Sequence, residues 1–203
     1  MRKTLAAALA ASAFGFASGG ALAVECFDVR SISAWQEAES CTQGDKTWTL
    51  NSTDLGGPVT VLFFTPSAQT HGMALFGFDT TDAPGDWMIN YTITVTDPDN
   101  FISAMLAETD NPGGGSELNK DVTGDATFSL AVIDGSPDAG SSKLGLDATT
   151  LTVNETFHAD FAAELVSVSD FFRQSTRTVP EPGTLALLGL GLLAAGVARR
   201  RRS

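Results

Sequence analysis

The stretch DWMINYTITVT, residues 86–96, decides the fold class of this chain. Its odd-numbered positions hold tryptophan, isoleucine, tyrosine, isoleucine and valine, and its even-numbered positions are polar apart from Met88. Alternation with a period of two, carried by β-branched and aromatic residues, predicts a strand with one buried face. The stretch is followed by DPDN, residues 97–100, whose residue types favour a turn.

Shorter runs of similar character surround this strand and are separated by segments rich in Gly, Pro, Asp and Asn. The predicted strands cover residues 48–50, 59–65, 73–78, 128–133 and 151–154, the second of which is expected to end at Pro66. Residues 31–39 favour one short helix. Residues 157–172 fit either a helix or a strand, and we favour a strand over 164–172. The pattern predicts an all-β chain that folds as an antiparallel, jelly-roll-like β-sandwich of one domain.

The composition excludes several classes of protein. The 203 residues carry a formal charge of −12, with a pI near 4.3, and an acidic surface repels nucleic acid. The chain is 43% hydrophobic and 18% charged, which is not the composition of a disordered protein. Two cysteines provide neither a disulfide-dense scaffold nor a four-thiolate zinc site.

Residues 1–23 have the three zones of a secretory signal peptide: a basic start, an apolar run at 5–16 and a small-x-small cleavage site. Cleavage is expected between Ala23 and Val24. The alternative is a short membrane anchor that is not cut.

Residues 179–203 form a second segment with three zones. The first zone, residues 179–182, is extended, because two prolines this close together exclude a helix or a central strand. The second, residues 183–198, is uncharged; as a helix its sixteen residues span about 24 Å of a hydrocarbon core of about 30 Å. The three zones are Val179, Pro180, Glu181 and Pro182; the apolar run 183–198; and Arg199, Arg200, Arg201 and Arg202 before Ser203. Basic residues beside a span stay in the cytoplasm, so both ends place the residues between them on the far side of the membrane.

This order of motif, apolar span and basic tail resembles the PEP-CTERM sorting signal. The resemblance implies that Pro180, Glu181 and Pro182 are the recognition element, that 183–198 is a transient transmembrane helix and that the arginines are a stop signal. It further implies export, passage through the inner membrane of a Gram-negative bacterium, and processing by exosortase. Proteins with such tails often accompany exopolysaccharide production. A plain C-terminal anchor without processing is the alternative.

Residues 24–178 remain as the mature part, with 23 acidic and six basic residues and a formal charge of −17. A chain of this size buries a full core as one domain. The charge favours solubility outside the cell.

Cys26 and Cys41 are the only thiols, and both lie in the exported part. Two lone cysteines in an oxidising compartment usually pair, so we expect a structural disulfide that closes a loop around Trp35. The alternative is a redox or nucleophilic pair, although the spacing is not that of a CxxC motif.

The remaining candidates for chemistry are weaker. His71 and His158 are the only histidines; either could be a general base, but ordinary polar roles are preferred. Asp97, Asp99 and Asn100 are candidate calcium ligands in the loop after the main strand, although their spacing is not that of an EF-hand. The same residue types are default turn formers. We therefore expect no cofactor, with calcium as the alternative.

Three functions remain open. The first is a non-enzymatic surface or matrix protein, exported and sorted through its tail, with exopolysaccharide or another matrix component as partner. The second is a secreted carbohydrate-binding or carbohydrate-active protein on the same scaffold, since sandwich folds host both. The third is a permanently anchored membrane protein.

Overall fold

The computed structural model describes residues 24–56, 59–78, 85–110, 116–133, 136–137, 141–159 and 167–177. These residues form two packed β-sheets with one short α-helix, so the predicted all-β sandwich is confirmed. The predicted signal peptide, residues 1–23, and the predicted transmembrane helix, residues 183–198, lie outside the described residues.

The described part of the chain contains thirteen strands, and they follow one another with few helical interruptions. The strands are β1 Val24–Glu25, β2 Ser40–Gln43, β3 Lys46–Thr53, β4 Thr60–Ser67, β5 Thr70–Phe76, β6 Gly85–Val95, β7 Asn100–Asp110, β8 Ser116–Gly124, β9 Phe128–Ile133, β10 Ser136–Pro137, β11 Ser142–Ala148, β12 Thr150–Ala159 and β13 Ser167–Thr176.

The strands are divided between two sheets. The larger sheet has the order β1-β2-β3-β6-β12-β8-β9-β10, and the smaller has the order β11-β7-β13-β5-β4. Every pairing is antiparallel except that of β1 with β2, which is parallel. Consecutive strands pair at the ends of the larger sheet and between β4 and β5, but the central pairings, such as β6 with β12 and β7 with β13, join distant parts of the sequence. The full strand order therefore could not be read from the run of strands.

A short N-terminal segment is tied to the edge of the larger sheet. A 3-10 turn over Cys26–Asp28 precedes helix α1, Ile32–Ala38. The hydroxyl of Ser31 caps this helix by accepting from the backbone N–H of Ala34 at 3.1 Å. The helix lies within the predicted residues 31–39.

A disulfide joins Cys26 to Cys41 across this segment, with 4.8 Å between the Cα atoms. The bond encloses α1, whose Trp35 is fully buried in the core. The structure therefore contains the cysteine pairing that the sequence favours.

An aromatic cluster holds the two sheets together. The ring of Trp48, on β3, lies 5.3 Å from Phe63 on β4 and 5.4 Å from Phe172 on β13, both in the opposite sheet. Tyr91 of β6 lies 5.9 Å from Trp48, and Trp35 packs edge-on against Phe63. Burying each such ring contributes about 1.5–3 kcal/mol, and the ring pairs add further stabilisation.

Two expected strand boundaries differ from the structure. Strand β4 does not end at Pro66 but continues to Ser67, because β4 lies at the edge of its sheet and a bulge near Pro66 removes the need for its missing N–H. The last strand extends to Thr176, whereas 164–172 was expected; of those residues 164–166 lie outside the described part.

Candidate functional site

The outer side of the smaller sheet carries an apolar surface that no described element covers. Successive strand residues alternate between the core and the outside, so this surface is built from every second residue of β4, β5, β13 and β7. We call it the aromatic face and define it by Leu62, Phe64, Gly72, Ala104, Leu106 and Phe171. Gly72 and Ala104 are buried within this face, whereas the side chains of Leu62, Phe64, Leu106 and Phe171 are partly exposed.

Two phenylalanines form the centre of the aromatic face. The rings of Phe64 and Phe171 meet edge-on, with 5.3 Å between their centroids and 77° between their planes. They come from strands that are not neighbours, because β5 lies between β4 and β13. Both side chains are only partly buried.

Gly72 of β5 makes this pairing possible. It is the register partner of both Phe64 and Phe171. A Cβ atom at position 72 would lie 2.5 Å from the Phe64 ring and 2.8 Å from the backbone oxygen of Asp170. The ring of Phe64 therefore lies over the glycine, in space that any side chain would occupy.

A shallow depression of about 350 Å³ adjoins the rings. Its apolar lining includes Phe171 and Leu144, which is 71% exposed, and its polar lining comes from Thr70, Ser142 and Arg173. Apolar surface with a few hydrogen-bonding groups is the usual character of a small-ligand pocket.

The outer side of the larger sheet is chemically different. Four threonines lie in register across β3, β6, β12 and β8, namely Thr49, Thr92, Thr152 and Thr123. The hydroxyls of Thr92 and Thr152 are 3.0 Å apart, so cross-strand pairs bond to one another. This surface consists of rows of polar side chains, in contrast to the apolar side chains of the aromatic face.

An acidic depression of about 300 Å³ lies at one end of the larger sheet. His158 and Asp86 are register partners on β12 and β6, and Nδ1 of the histidine lies 2.6 Å from the carboxylate. Asp54 accepts from the backbone N–H of Met88 at 2.6 Å, and Glu117 accepts from an asparagine side chain at 2.7 Å. Each of these three carboxylates has a hydrogen-bond or ion-pair partner, and the described residues that line the depression include no serine or cysteine.

Two of the candidate calcium ligands, Asp97 and Asn100, belong to a hydrogen-bonded network that we call the end cluster: Asp45, Lys46, Asp97, Asn100 and Gln174. Asn100 donates to Asp45 at 3.0 Å and to Asp97 at 3.2 Å, while Asp97 also accepts from the backbone N–H of Asp99 at 2.9 Å. Among the described residues no group of three or more His, Cys, Asp or Glu side chains is arranged to hold a metal.

Lys46 is the buried cation of the end cluster. Its ammonium donates to Asp45 at 2.5 Å and also to the side chain of Gln174. Burial lowers the pKa of Lys46, while Asp45 and Asp97 oppose that change. Burial raises the pKa of Asp45, but hydrogen bonds from Lys46, Asn100 and Gln174 outweigh it and hold the pKa below its usual value.

His71 lies beside the end cluster, where its side chain is almost fully buried. Burial lowers the pKa of His71, and the charge of Lys46 lowers it further. The predicted ordinary polar role fits this position better than that of a general base, because a base needs access to a substrate.

A second buried cation lies between the sheets. We call Tyr91, Lys120, Glu155 and Asp170 the core cluster; all four are 0% exposed. Nζ of Lys120 contacts Oε1 of Glu155, its register partner on β12, and lies 2.8 Å from Oδ1 of Asp170 on β13. The hydroxyl of Tyr91 donates to Oδ2 of Asp170 at 2.5 Å.

Burial affects the ionisation of two members of the core cluster. It lowers the pKa of Lys120, while the charge of Asp170 and the hydrogen bond to it act in the opposite direction. Burial raises the pKa of Tyr91 well above its usual value, and Asp170 raises it further, so this hydroxyl keeps its proton.

The remaining predicted site residues fall outside the described part of the chain. They are Ala23 of the cleavage site, the motif Val179, Pro180, Glu181 and Pro182, and the arginines 199–202. Val24, on the other side of the expected cut, begins β1 and is 40% exposed. No helix among the described residues has the length and apolar character needed to cross a membrane.

Sequence reasoning missed both the aromatic face and the core cluster. Phe64 lies within a predicted strand and Phe171 within the final one, but only the strand order shows that one glycine separates them in space. A charged lysine ordinarily indicates an exposed position, so nothing marked Lys120 as a core residue.

Residues 178–202 match the family model described as the PEP-CTERM protein-sorting motif, which confirms the resemblance of the tail. This signal implies an exported protein with a membrane-anchored precursor that is processed by exosortase. The match covers the tail alone. No curated protein matches the chain.

Two solved structures show distant likeness to the chain. One is TmCBM61 in complex with β-1,4-galactotriose, with 10% identity, a TM-score of 0.33, and coverage of 64% of this chain and 88% of that one. The other is the xyloglucanase domain of NopAA, a type three effector from Sinorhizobium fredii, in complex with cellobiose, with 8% identity, a TM-score of 0.27, and coverage of 68% and 97%. Likenesses this low carry no argument about this chain.

Proposed function

We propose that this chain is an exported, non-enzymatic matrix protein that binds a neutral polysaccharide through its aromatic face. The sorting motif at residues 178–202 supports an extracellular destination. The observation that carries the binding proposal is the partly exposed pair Phe64 and Phe171, held together over Gly72 on the outer side of the sheet.

The chemistry of the aromatic face suits a sugar chain. Aromatic rings offer flat apolar surface for the C–H faces of a sugar ring, and adjacent polar groups fix its orientation through hydrogen bonds. Ser142, Thr70 and Arg173 line the same depression and supply such groups. The outer face of a sheet is open at both ends, so a polymer chain can lie across it, whereas a closed pocket admits only a small ligand.

The charge of the mature part favours a neutral polymer over an acidic one. With 23 acidic and six basic residues between positions 24 and 178, the long-range field repels polyanions. Of the six bases, Lys46 and Lys120 are buried and paired with carboxylates, so neither is available to bind a polyanion at the surface.

The proposal that the protein is not an enzyme rests on the acidic depression. Its carboxylates are engaged by a backbone N–H, a histidine and an asparagine, which leaves them poorly placed to transfer protons to a glycosidic bond. We expect no release of reducing ends when the protein is incubated with any polysaccharide that it binds. Release of reducing ends would favour the carbohydrate-active alternative instead.

Affinity electrophoresis tests the binding proposal. The exported protein would be run through gels that contain neutral polysaccharides (galactan, xyloglucan and dextran) or acidic alginate. We expect retardation by at least one neutral polymer, with a loss of about tenfold or more in affinity for Phe171→Ala and for Phe64→Ala.

A matched control comes from another exposed phenylalanine. Phe27 is 69% exposed in the N-terminal 3-10 turn and does not belong to the aromatic face. Phe27→Ala should leave retardation unchanged. Retardation by alginate alone, or equal losses in all three variants, would contradict the proposal.

A further inference from the structure

The core cluster concentrates ionisable groups where a β-sandwich ordinarily has aliphatic side chains. Residues 24–178 contain only three lysines, and two of them are fully buried. Lys120 lies between two carboxyl groups, one from its own sheet and one from the opposite sheet. With all three groups ionised the cluster would hold a net negative charge away from water, which is costly.

We propose that Lys120 and Asp170 condense to an intramolecular isopeptide bond that joins β8 covalently to β13. This inference is independent of the proposed polysaccharide binding. A buried amine held against a buried carboxyl group can exchange an ion pair for a neutral amide, which removes both charges from the core. Proximity of this kind converts a reaction between two molecules into one within a single folded chain.

Each member of the core cluster has a place in this reaction. Lys120 is the nucleophile, and burial favours its neutral form by lowering its pKa. Asp170 supplies the electrophilic carbon Cγ, since its Oδ1 lies 2.8 Å from Nζ. Tyr91 donates to Oδ2 at 2.5 Å, where negative charge develops when Nζ attacks, and so acts as an oxyanion donor.

Glu155 is the proton carrier. Its Oε1 contacts Nζ of Lys120, while its Oε2 has no hydrogen-bond partner among the described residues. The reaction starts from the Lys120 ammonium, the Asp170 carboxylate and protonated Glu155. Glu155 gives its proton to Oδ1 of Asp170 and takes one from Nζ, which leaves the neutral amine that attacks Cγ. A second exchange of the same kind follows the attack, so that two protons pass from Nζ to Oδ1 and Glu155 ends as the acid. The Nζ–Cγ bond forms, the Cγ–Oδ1 bond breaks, and one water molecule leaves. No oxidant, cofactor or other reactant is required.

Tryptic mapping of the purified full chain, after reduction and denaturation, tests the bond directly. Trypsin does not cut after an acylated lysine, so residues 47–143 should remain uncut at Lys120 and be joined to residues 144–173. The mass of this branched peptide should be lower by one water than the sum of its two parts. Lys143 is exposed and serves as the internal control for cleavage.

Tandem mass spectrometry then locates the bond, because both Glu155 and Asp170 lie within residues 144–173. We expect fragments that place the branch on Asp170. Glu155→Gln should prevent the bond from forming, so that trypsin cuts after Lys120. Asp121→Asn changes an exposed residue next to Lys120 on β8 and should leave the bond intact. A wild-type peptide that ends at Lys120, a branch on Glu155, or a bond that persists in Glu155→Gln would overturn the inference.

Discussion

Removing the disulfide should cost the domain a large part of its stability. The bond between Cys26 and Cys41 closes a loop with a sequence separation of 15, and a constraint of that size on the unfolded chain is worth about 3 kcal/mol. In a domain of about 150 residues this corresponds to a fall of about 6–12 °C in Tm. The perturbation is the double variant Cys26→Ala/Cys41→Ala, since alanine avoids placing a hydroxyl at two buried positions.

The assay is thermal unfolding followed by circular dichroism, with the wild type measured in parallel with and without a reducing agent. The reduced wild type keeps both sulfurs, so its Tm separates the effect of the cross-link from that of lost packing around Trp35. Both the reduced wild type and the double variant should have a lower Tm than the oxidised wild type, and the double variant should have the lowest. A fall below about 2 °C in both would refute the reasoning that this bond is what fixes the N-terminal segment to the sheet.

Three further predictions concern other parts of the fold. Asp125 accepts three hydrogen bonds from Thr149 and the next residue, which hold its pKa below the usual 3.8. Asp125→Ala should therefore lower the free energy of unfolding by about 1 kcal/mol at neutral pH, a value that allows for the exposure of the side chain. The difference between variant and wild type in urea unfolding should vanish well below pH 3.8, where the carboxylate is protonated in both states. Because burial lowers the pKa of His71 in the folded protein, the unfolded chain binds the proton more readily, so the free energy of unfolding should decline as the pH falls below about 6.5. His71→Gln should flatten that decline in denaturant titrations, and an unchanged slope would contradict the assignment. Gly72→Ala should lower the free energy of unfolding by about 1–3 kcal/mol, since its Cβ would displace the Phe64 ring. The same variant should also be retarded less by polysaccharide. Unchanged stability and binding would contradict the role given to Gly72, because they would show that the ring has room to move.

The sequence predicts those features of the fold that depend on local pattern. The alternation at residues 86–96 gave β6, and the apolar runs gave the cores of β4, β5, β9 and β12. Strand β8 was not predicted, because the buried lysine at its centre breaks the alternation that marks a half-buried strand. Its neighbour in the sheet is β12 rather than an adjacent segment, and no local signal reports such pairing.

The sites likewise divide into one that a local sequence pattern predicts and others that depend on tertiary packing. The sorting motif is contiguous in sequence, so residue types and spacing were sufficient to predict it, and the family model confirms it. The aromatic face is assembled from strands about 100 residues apart, with Phe64 on one and Phe171 on the other. Only a strand order that places β5 between them brings the two rings together, and that order is a consequence of tertiary packing.

The central claim is that the two terminal segments, residues 1–23 and 179–203, direct the export and sorting of this domain. The measurement that bears most directly on it is the intact mass of the protein isolated from fractions of its native host. Export and processing predict an extracellular or surface-bound form that begins at Val24 and lacks the arginines at 199–202. A form that stays in the cytoplasm and retains both residues 1–23 and the arginine tail would contradict the account.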